Sequence, residues 1–249
     1  MFRQLLGFAL AAAFLAAAVT SFYVGKNYRT NELCCEIPPL RNLLASAKEV
    51  AGLIEFHSTE GQDRWVALEA FPGVRDGYFV DLGAADGVRK SNTKVLEDLG
   101  WSGLCVDPFP ANMETRRCTV FTVPVYSVSG KRVSFRKARD LGGIEAHMGR
   151  WEEATRHVES VELETRTVTD LLVQAKAPTY LHYMNIDIEG AELEALKGLD
   201  FSRYRVGALT IEHNFEEPKR SEIRKLLEQH GYRRVRSVEQ DDFYVGPRR

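Results

Sequence analysis

Residues Tyr78 to Pro108 read YFVDLGAADGVRKSNTKVLEDLGWSGLCVDP, and this stretch decides the fold. Tyr78–Leu82 is a short, mostly apolar run, which predicts a buried parallel strand. A tight turn of small residues follows at 83–87, and the next segment predicts a helix that ends at Gly100. Leu104–Asp107 is a second short strand that ends in an acid. The stretch therefore predicts a β-α-β unit.

The acids of this unit indicate the kind of ligand. A carboxylate in the position of Asp107 can accept both hydroxyls of a ribose, so we expect an adenosine-like cofactor. A dinucleotide turn would read G-x-G-x-x-G, whereas this one reads D-x-G-x-x-D-G, with Ala85 in place of the second glycine. Asp81 and Asp86 would repel a pyrophosphate but suit an ammonium and a sulfonium. The pattern favours S-adenosylmethionine over NAD.

We expect Gly83, Asp86 and Gly87 to hold the amino-acid end of this cofactor. Asp81 is expected to support the turn, and Asp107 to bind the ribose. The alternative interpretation is an ordinary α/β turn that binds no ligand.

Composition limits the other classes of function. With 249 residues, the chain has room for one domain of roughly 190 residues and an N-terminal appendage. The net charge of -2, from 33 basic and 35 acidic residues, does not indicate nucleic-acid binding. Cys105 and Cys118 lie in predicted strands and are expected to be buried thiols. The four cysteines suggest neither a disulfide framework nor a zinc site.

The N-terminus carries an uncharged, alanine-rich run at 5–24. At about 1.5 Å per residue, this run could cross a bilayer of roughly 30 Å, so we predict a single-pass membrane anchor after a short flank at 1–4. Ala16-Ala-Ala18 also resembles a signal-peptidase site, and cleavage would leave a secreted or lumenal protein. A polar stalk is predicted at 25–57, before a globular domain at 58–249.

Strands alternate with helices through the domain, which predicts a doubly wound α/β sheet with ligands at the strand carboxyl ends. Gly142 to Arg150 is expected to be a loop, and the C-terminal hairpin is expected to add one antiparallel strand. The further strands are predicted at Cys118–Val123, Arg132–Arg136, Val161–Val168, Tyr180–Asp187, Val206–Glu212, Tyr232–Val238 and Phe243–Val245.

Six ordered segments resemble the FkbM family of S-adenosylmethionine-dependent methyltransferases. They are GQDRWV at 61–66, FVDLGAADG at 79–87, SNTKVLEDLGWSGLCVDPFP at 91–110, NIDIEGAELEALKG at 185–198, LTIEHN at 209–214 and DDFYV at 241–245. The resemblance implies a class I methyltransferase (Rossmann-like) fold and methylation of a hydroxyl oxygen. The acceptor does not follow, because the family acts on dissimilar small molecules, glycans and lipids. Ala85 departs from the Asn or His that many relatives have near this position.

A second group of acids lies in NIDIEGAE. Strand alternation places Asp187 and Glu189 on one side of a strand end, and Glu192 follows in the first turn of a helix. We expect the three carboxylates to converge near the methionine end of the cofactor, although Glu192 also suits a purely capping role. Such acids could bind Mg²⁺, but dipole and ammonium partners can also compensate them, so a metal is not favoured.

Transfer to a hydroxyl requires a group that removes its proton. Asp187, Glu189 and His213 are the candidate general bases, since His213 follows the next predicted strand and should share the rim. His147 is a weaker candidate in a glycine-flanked loop. Gln62 and Asp63 either fold over the ligand or cap a helix.

Two functions follow from these expectations. The first is an S-adenosylmethionine-dependent O-methyltransferase. The second is a membrane-tethered binding or trafficking factor that keeps the fold without the chemistry, because a membrane-anchored branch of similar sequences includes trafficking proteins.

Overall fold

The computed structural model of the chain describes residues 54–247. The predicted anchor at 5–24 and most of the predicted stalk lie outside this range. Within it, no helix combines the length and the apolar character that a membrane crossing requires.

The main sheet has the parallel architecture that the sequence predicts. The strands are β1 Tyr78–Leu82, β2 Ser102–Val106, β3 Thr119–Phe121, β4 Arg132–Arg136, β5 Gly143–Ile144, β6 Ser160–Glu164, β7 Tyr180–Ile186, β8 Arg205–Glu212, β9 Arg233–Val238 and β10 Asp241–Val245. Seven of them form the sheet in the order β3-β2-β1-β7-β8-β10-β9. β10 is antiparallel to both of its neighbours, and the remaining neighbours are parallel. The prediction of an inserted antiparallel strand is confirmed.

Helices cover both faces of this sheet. They are α1 Gln62–Trp65, which continues as a π-helical turn Val66–Ala70, α2 Lys94–Asp98, α3 Glu152–Thr155, α4 Val168–Gln174, α5 Glu192–Lys197 and α6 Lys219–Gln229. Short 3₁₀ turns lie at Met113–Thr115, Arg139–Leu141, Glu145–His147 and Gly149–Trp151. One buried apolar cluster includes Leu172, Leu196 and Leu227. A second includes Trp65 and Leu96. Apolar clusters on two faces fit the doubly wound arrangement.

A smaller antiparallel sheet, in the order β5-β4-β6, was not predicted. Phe135 of β4 is buried in a third apolar cluster. The predicted strand Val161–Val168 is too long, because it ends at Glu164 and Val168 begins α4. Thr167 ends the extended segment, since its Oγ1 accepts a hydrogen bond from the backbone N–H of Asp170 at 3.1 Å and caps the helix.

The expectation of two buried thiols is wrong, because Cys105 and Cys118 form a disulfide. Cys105 lies in β2, and Cys118 precedes β3, which pairs with β2 in parallel. This register brings the two Cα atoms to 6.0 Å, within bonding range. The third strand is too short for its register to be read from the sequence.

Arg116 ties the helix of the β-α-β unit to the turn before it. Its guanidinium, fully buried, donates to the Glu97 carboxylate at 2.8 Å and to the Thr93 hydroxyl at 2.9 Å. It also donates to the carbonyl of Gly87 at 2.6 Å. The second Glu97 oxygen accepts from the backbone N–H groups of Arg117 and Cys118.

Arg116→Ala should lower the free energy of unfolding by about 3–5 kcal/mol, because it leaves the buried Glu97 carboxylate without its cation. Urea unfolding of the full chain measures this loss. Arg156→Ala is the matched control, since Arg156 and Glu153 pair in solvent, and it should cost no more than about 1 kcal/mol. Equal losses in the two variants would contradict the structural role of Arg116.

Candidate active site

A cavity of about 310 Å³ opens at the carboxyl ends of β1, β2, β7 and β8. Its walls include the turn after β1, the acids that end β7 and β8, and Asp241 from β10. The 3₁₀ turn Arg139–Leu141 and Trp151 complete the opposite side. A cavity of this volume at this edge of a parallel sheet is where α/β proteins bind small ligands.

The turn after β1 depends on its glycines for close packing. Gly83 has φ 87°, and a Cβ there would collide with the carbonyl oxygen of Asp187 at the end of β7. Gly87 has φ 77°, and its Cβ would lie 2.9 Å from the Met113 sulfur. The structure thus brings the turn and the end of β7 into direct contact.

Only part of the predicted cofactor turn faces the cavity. Gly83 lines it, whereas Asp86 and Gly87 do not. The Asp86 carboxylate instead accepts the backbone N–H of Arg89 at 2.8 Å and the side-chain amide of Asn112 at 2.8 Å. These donors hold the turn, so Asp86 is placed to shape the site and not to contact a ligand in this cavity.

Asp81 and Asp107 both line the cavity, as expected. Asp81 is buried and accepts hydrogen bonds from the Thr93 hydroxyl at 2.6 Å and the Asn185 amide at 3.0 Å. Asp107 accepts the backbone N–H groups of Ala85 at 3.0 Å and Phe109 at 2.7 Å. Burial raises the pKa of both carboxyl groups, and their hydrogen-bond donors oppose the rise.

Three carboxyl groups meet at the centre of the site: Asp187, Glu189 and Glu212. A ligand oxygen of each lies within 4.8 Å of the others, which is close enough to bind one divalent cation together. The amide of Asn214 joins two of them, donating to Glu212 at 2.6 Å and to Glu189 at 3.2 Å. The strand ends thus bring the predicted pair Asp187 and Glu189 together and add Glu212.

The pKa of each of the three carboxyl groups is raised above its ordinary value. Burial is the largest cause in each. Repulsion from Asp187 adds to the rise at Glu189 and Glu212. Carboxyl groups with raised pKa values keep their protons to a higher pH than isolated carboxyl groups do.

Glu192 does not join this cluster, contrary to the expected convergence. Its Oε1 accepts the backbone N–H of Gly190 at 2.7 Å, and its Oε2 pairs with Lys219 at 2.8 Å. These contacts are structural, but they do not cap the helix, because the N-cap residue Ala191 has no side-chain cap hydrogen bond.

His213 and His147 both lie away from the cavity walls. Glu212 faces the cavity, so alternation turns the next residue, His213, toward the other side of the sheet. There its Nδ1 accepts the backbone N–H of Phe215 at 3.0 Å, and burial lowers its pKa to about 4. The Nε2 of His147 lies 3.1 Å from the Tyr126 hydroxyl.

The two residues of the GQD segment have different positions. Gln62 lines the cavity, next to Thr59 and Glu60. Asp63 is buried and holds the chain before it, with Oδ2 accepting the backbone N–H of His57 at 2.7 Å. The segment therefore reaches the ligand cavity through Gln62, while Asp63 fixes its path.

Charged side chains close the outer side of the cavity. Asp140 accepts from Arg89 at 3.0 Å and from Lys90 at 3.4 Å, which links the 3₁₀ turn to the segment after the glycine turn. These hydrogen bonds and charges lower the pKa of Asp140, against the effect of its burial. All three side chains line the cavity and are partly exposed.

Sequence reasoning missed Glu212, Asp241 and Asp140 as site residues. Glu212 had a usable signal, since it ends a predicted strand beside Asp187 in a parallel sheet. Asp241 was missed because the predicted strand begins at Phe243, whereas β10 begins at Asp241, which pairs with Glu212 of β8. Burial, with repulsion from Asp187, raises the pKa of Asp241 to about 7.

Glu212→Gln should reduce the loss of stability between pH 5 and pH 8. The folded state raises the pKa of Glu212, so it binds more protons there than the unfolded chain does. Such a group makes the protein less stable as the pH rises above its unfolded pKa of roughly 4. Melting temperatures at both pH values measure the effect, and Glu162→Gln on an exposed strand position is the control. An equal decline in wild type and Glu212→Gln would contradict the raised pKa.

Comparison with known proteins agrees with this geometry. A family model described as the methyltransferase FkbM domain matches residues 81–234, which is more than half of the chain. No curated protein matches the chain. The matched range contains the glycine turn, Asp107 and all three carboxyl groups of the cluster. The chain belongs to the FkbM methyltransferase family.

Proposed function

We propose that the chain is an S-adenosylmethionine-dependent methyltransferase that methylates a hydroxyl oxygen of its acceptor. The observation that carries this proposal is a single cavity shared by the glycine turn, Asp107 and the carboxyl cluster of Asp187, Glu189 and Glu212. The family alone implies a methyltransferase that uses S-adenosylmethionine in general. The acids support the finer assignment to a hydroxyl acceptor.

The residues present fit this cofactor. Gly83 lets the chain pass close to β7, where a larger side chain would fill the space between them. Asp107 lines the cavity beside this turn and would hold the ribose hydroxyls. The acids of the cavity suit the positive charges of the ammonium and the sulfonium.

When bound, S-adenosylmethionine supplies an electrophilic methyl group on a positively charged sulfur. Asp187 or Glu189 would accept a hydrogen bond from the acceptor hydroxyl, orient its oxygen toward the methyl carbon and take its proton as the new bond forms. A carboxylate whose pKa is raised is a stronger base than an ordinary one, which suits this role. General bases typically contribute about 10²–10⁴-fold to a rate.

Glu212 would support this step without taking the proton. Its pKa is raised by burial and by the charges of Asp187 and Glu189, so it stays protonated and can donate to a neighbouring carboxylate. Asn214 fixes the carboxyl group of Glu212 from the other side. His213 receives no role, because it does not line the cavity.

The acceptor is proposed at the level of a hydroxyl on a small molecule, glycan or lipid. A metal ion is not part of the proposal. The three carboxyl groups could bind Mg²⁺, yet raised pKa values and the Asn214 amide already relieve their repulsion.

Asp107→Ala should weaken binding of S-adenosylhomocysteine, the demethylated product, by at least about 100-fold. Two hydrogen bonds to a charged group are lost, each contributing about 1.5–3 kcal/mol. Calorimetric titration of the full chain measures the affinity. Asp98→Ala, which removes an exposed partner of Lys94 in the same β-α-β unit, is the control and should bind normally. A wild-type chain that binds NAD but neither S-adenosylmethionine nor its product would overturn the proposal.

A further inference from the structure

Asn92 is a buried polar residue in the segment that follows the glycine turn. Only 7% of its surface is exposed, and it lines the cavity of the candidate active site. Within residues 54–247, its Oδ1 is buried without a hydrogen-bond partner. A buried acceptor in this state costs about 1–3 kcal/mol, so it requires an explanation.

Both chain neighbours of Asn92 are fully engaged. The Ser91 hydroxyl accepts from the backbone N–H groups of Thr93 at 3.3 Å and Lys94 at 3.1 Å. The Thr93 hydroxyl donates to Asp81 at 2.6 Å and accepts from Arg116 at 2.9 Å. These bonds fix the backbone on either side of Asn92, so its carboxamide is held at the cavity wall.

Asn92 lines the same cavity as Asp81, which lies near the end of the first strand. Asn92 is one residue from Thr93, whose hydroxyl contacts Asp81 directly, and consecutive Cα atoms are about 3.8 Å apart. Each oxygen of Asp81 already accepts one internal donor, from Thr93 or Asn185. Among the described residues that line the cavity, Asn92 has the buried side-chain acceptor without a hydrogen-bond partner.

We infer that the Asn92 carboxamide binds the ammonium group at the amino-acid end of S-adenosylmethionine. This inference rests on the proposed function and extends it to a residue outside the expected Gly83, Asp86 and Gly87 set. An ammonium donates strong hydrogen bonds, and Oδ1 is an acceptor that no donor within residues 54–247 satisfies. The residue is a specificity determinant, because it distinguishes ligands that carry the amino acid from those that carry only the adenosine.

Two ligands distinguish binding of the ammonium group by Asn92 from an effect of Asn92 on the whole cofactor site. S-adenosylhomocysteine carries the amino-acid end, whereas 5′-methylthioadenosine has the same adenosine and sulfur but lacks it. Calorimetric titrations of the full chain should show that Asn92→Ala weakens S-adenosylhomocysteine at least about tenfold and leaves 5′-methylthioadenosine within about threefold of wild type. Asp107→Ala, the matched control, should weaken both ligands, since both carry the ribose.

Asn92→Leu tests the same inference through stability. Leucine has the same branching and number of heavy atoms as asparagine, but it has no acceptor to leave unsatisfied. The ligand-free variant should melt no lower than wild type while losing affinity for S-adenosylhomocysteine. A residue with a purely structural role would instead destabilise the protein when replaced.

The outcomes distinguish a failure of the proposed methyltransferase function from a failure of the proposed role of Asn92. If wild type binds neither ligand, the proposed function fails, and the role of Asn92 fails with it. If wild type binds both ligands and the Asn92 variants change both affinities equally, or neither, only the role of Asn92 is overturned.

Discussion

The buried hydrogen-bond network between Asp81, Thr93 and Arg116 is the constraint on which the site depends. It joins the end of the first strand to the start of the following helix and, through Arg116, to Glu97 and the carbonyl of Gly87. The glycine turn lies between these fixed points and has little freedom to move. Because Gly83 packs against the carbonyl of Asp187, the same network also sets the distance between the turn and the acidic strand ends. One network thus positions both halves of the cavity.

The buried carboxyl cluster destabilises the folded protein, but it suits proton transfer. Asp187, Glu189 and Glu212 come from the ends of neighbouring parallel strands, so the topology forces them together whatever their charge. Their raised pKa values reflect the destabilisation that this burial causes. In a purely structural domain, neutral residues could replace these three acids with no loss of stability. Proton transfer at neutral pH is a role for which such a cluster is suited.

The sequence predicted the parallel sheet, the antiparallel insertion and the glycine turn, because strand periodicity and turn chemistry are local signals. It also paired Asp187 with Glu189 through strand alternation. It failed where non-local pairing decides the outcome. The Cys105–Cys118 disulfide depends on the register of β3 against β2. The side of the sheet that His213 faces follows from Glu212 facing the cavity. The sequence offered no reason to assign Asn92 to the ligand, because only the structure shows that its Oδ1 is buried without a hydrogen-bond partner within residues 54–247.

We propose that the chain transfers a methyl group within this cavity and does not only bind a ligand there. The most direct measurement incubates the full chain with S-adenosylmethionine labelled in its methyl group, together with diverse cell extracts, and follows the label. We expect a labelled product with wild type and a rate lower by about 10²–10⁴-fold with Asp187→Asn and Glu189→Gln combined. Binding of the cofactor without label transfer in any extract would contradict methyl transfer and favour a non-catalytic binding or trafficking role.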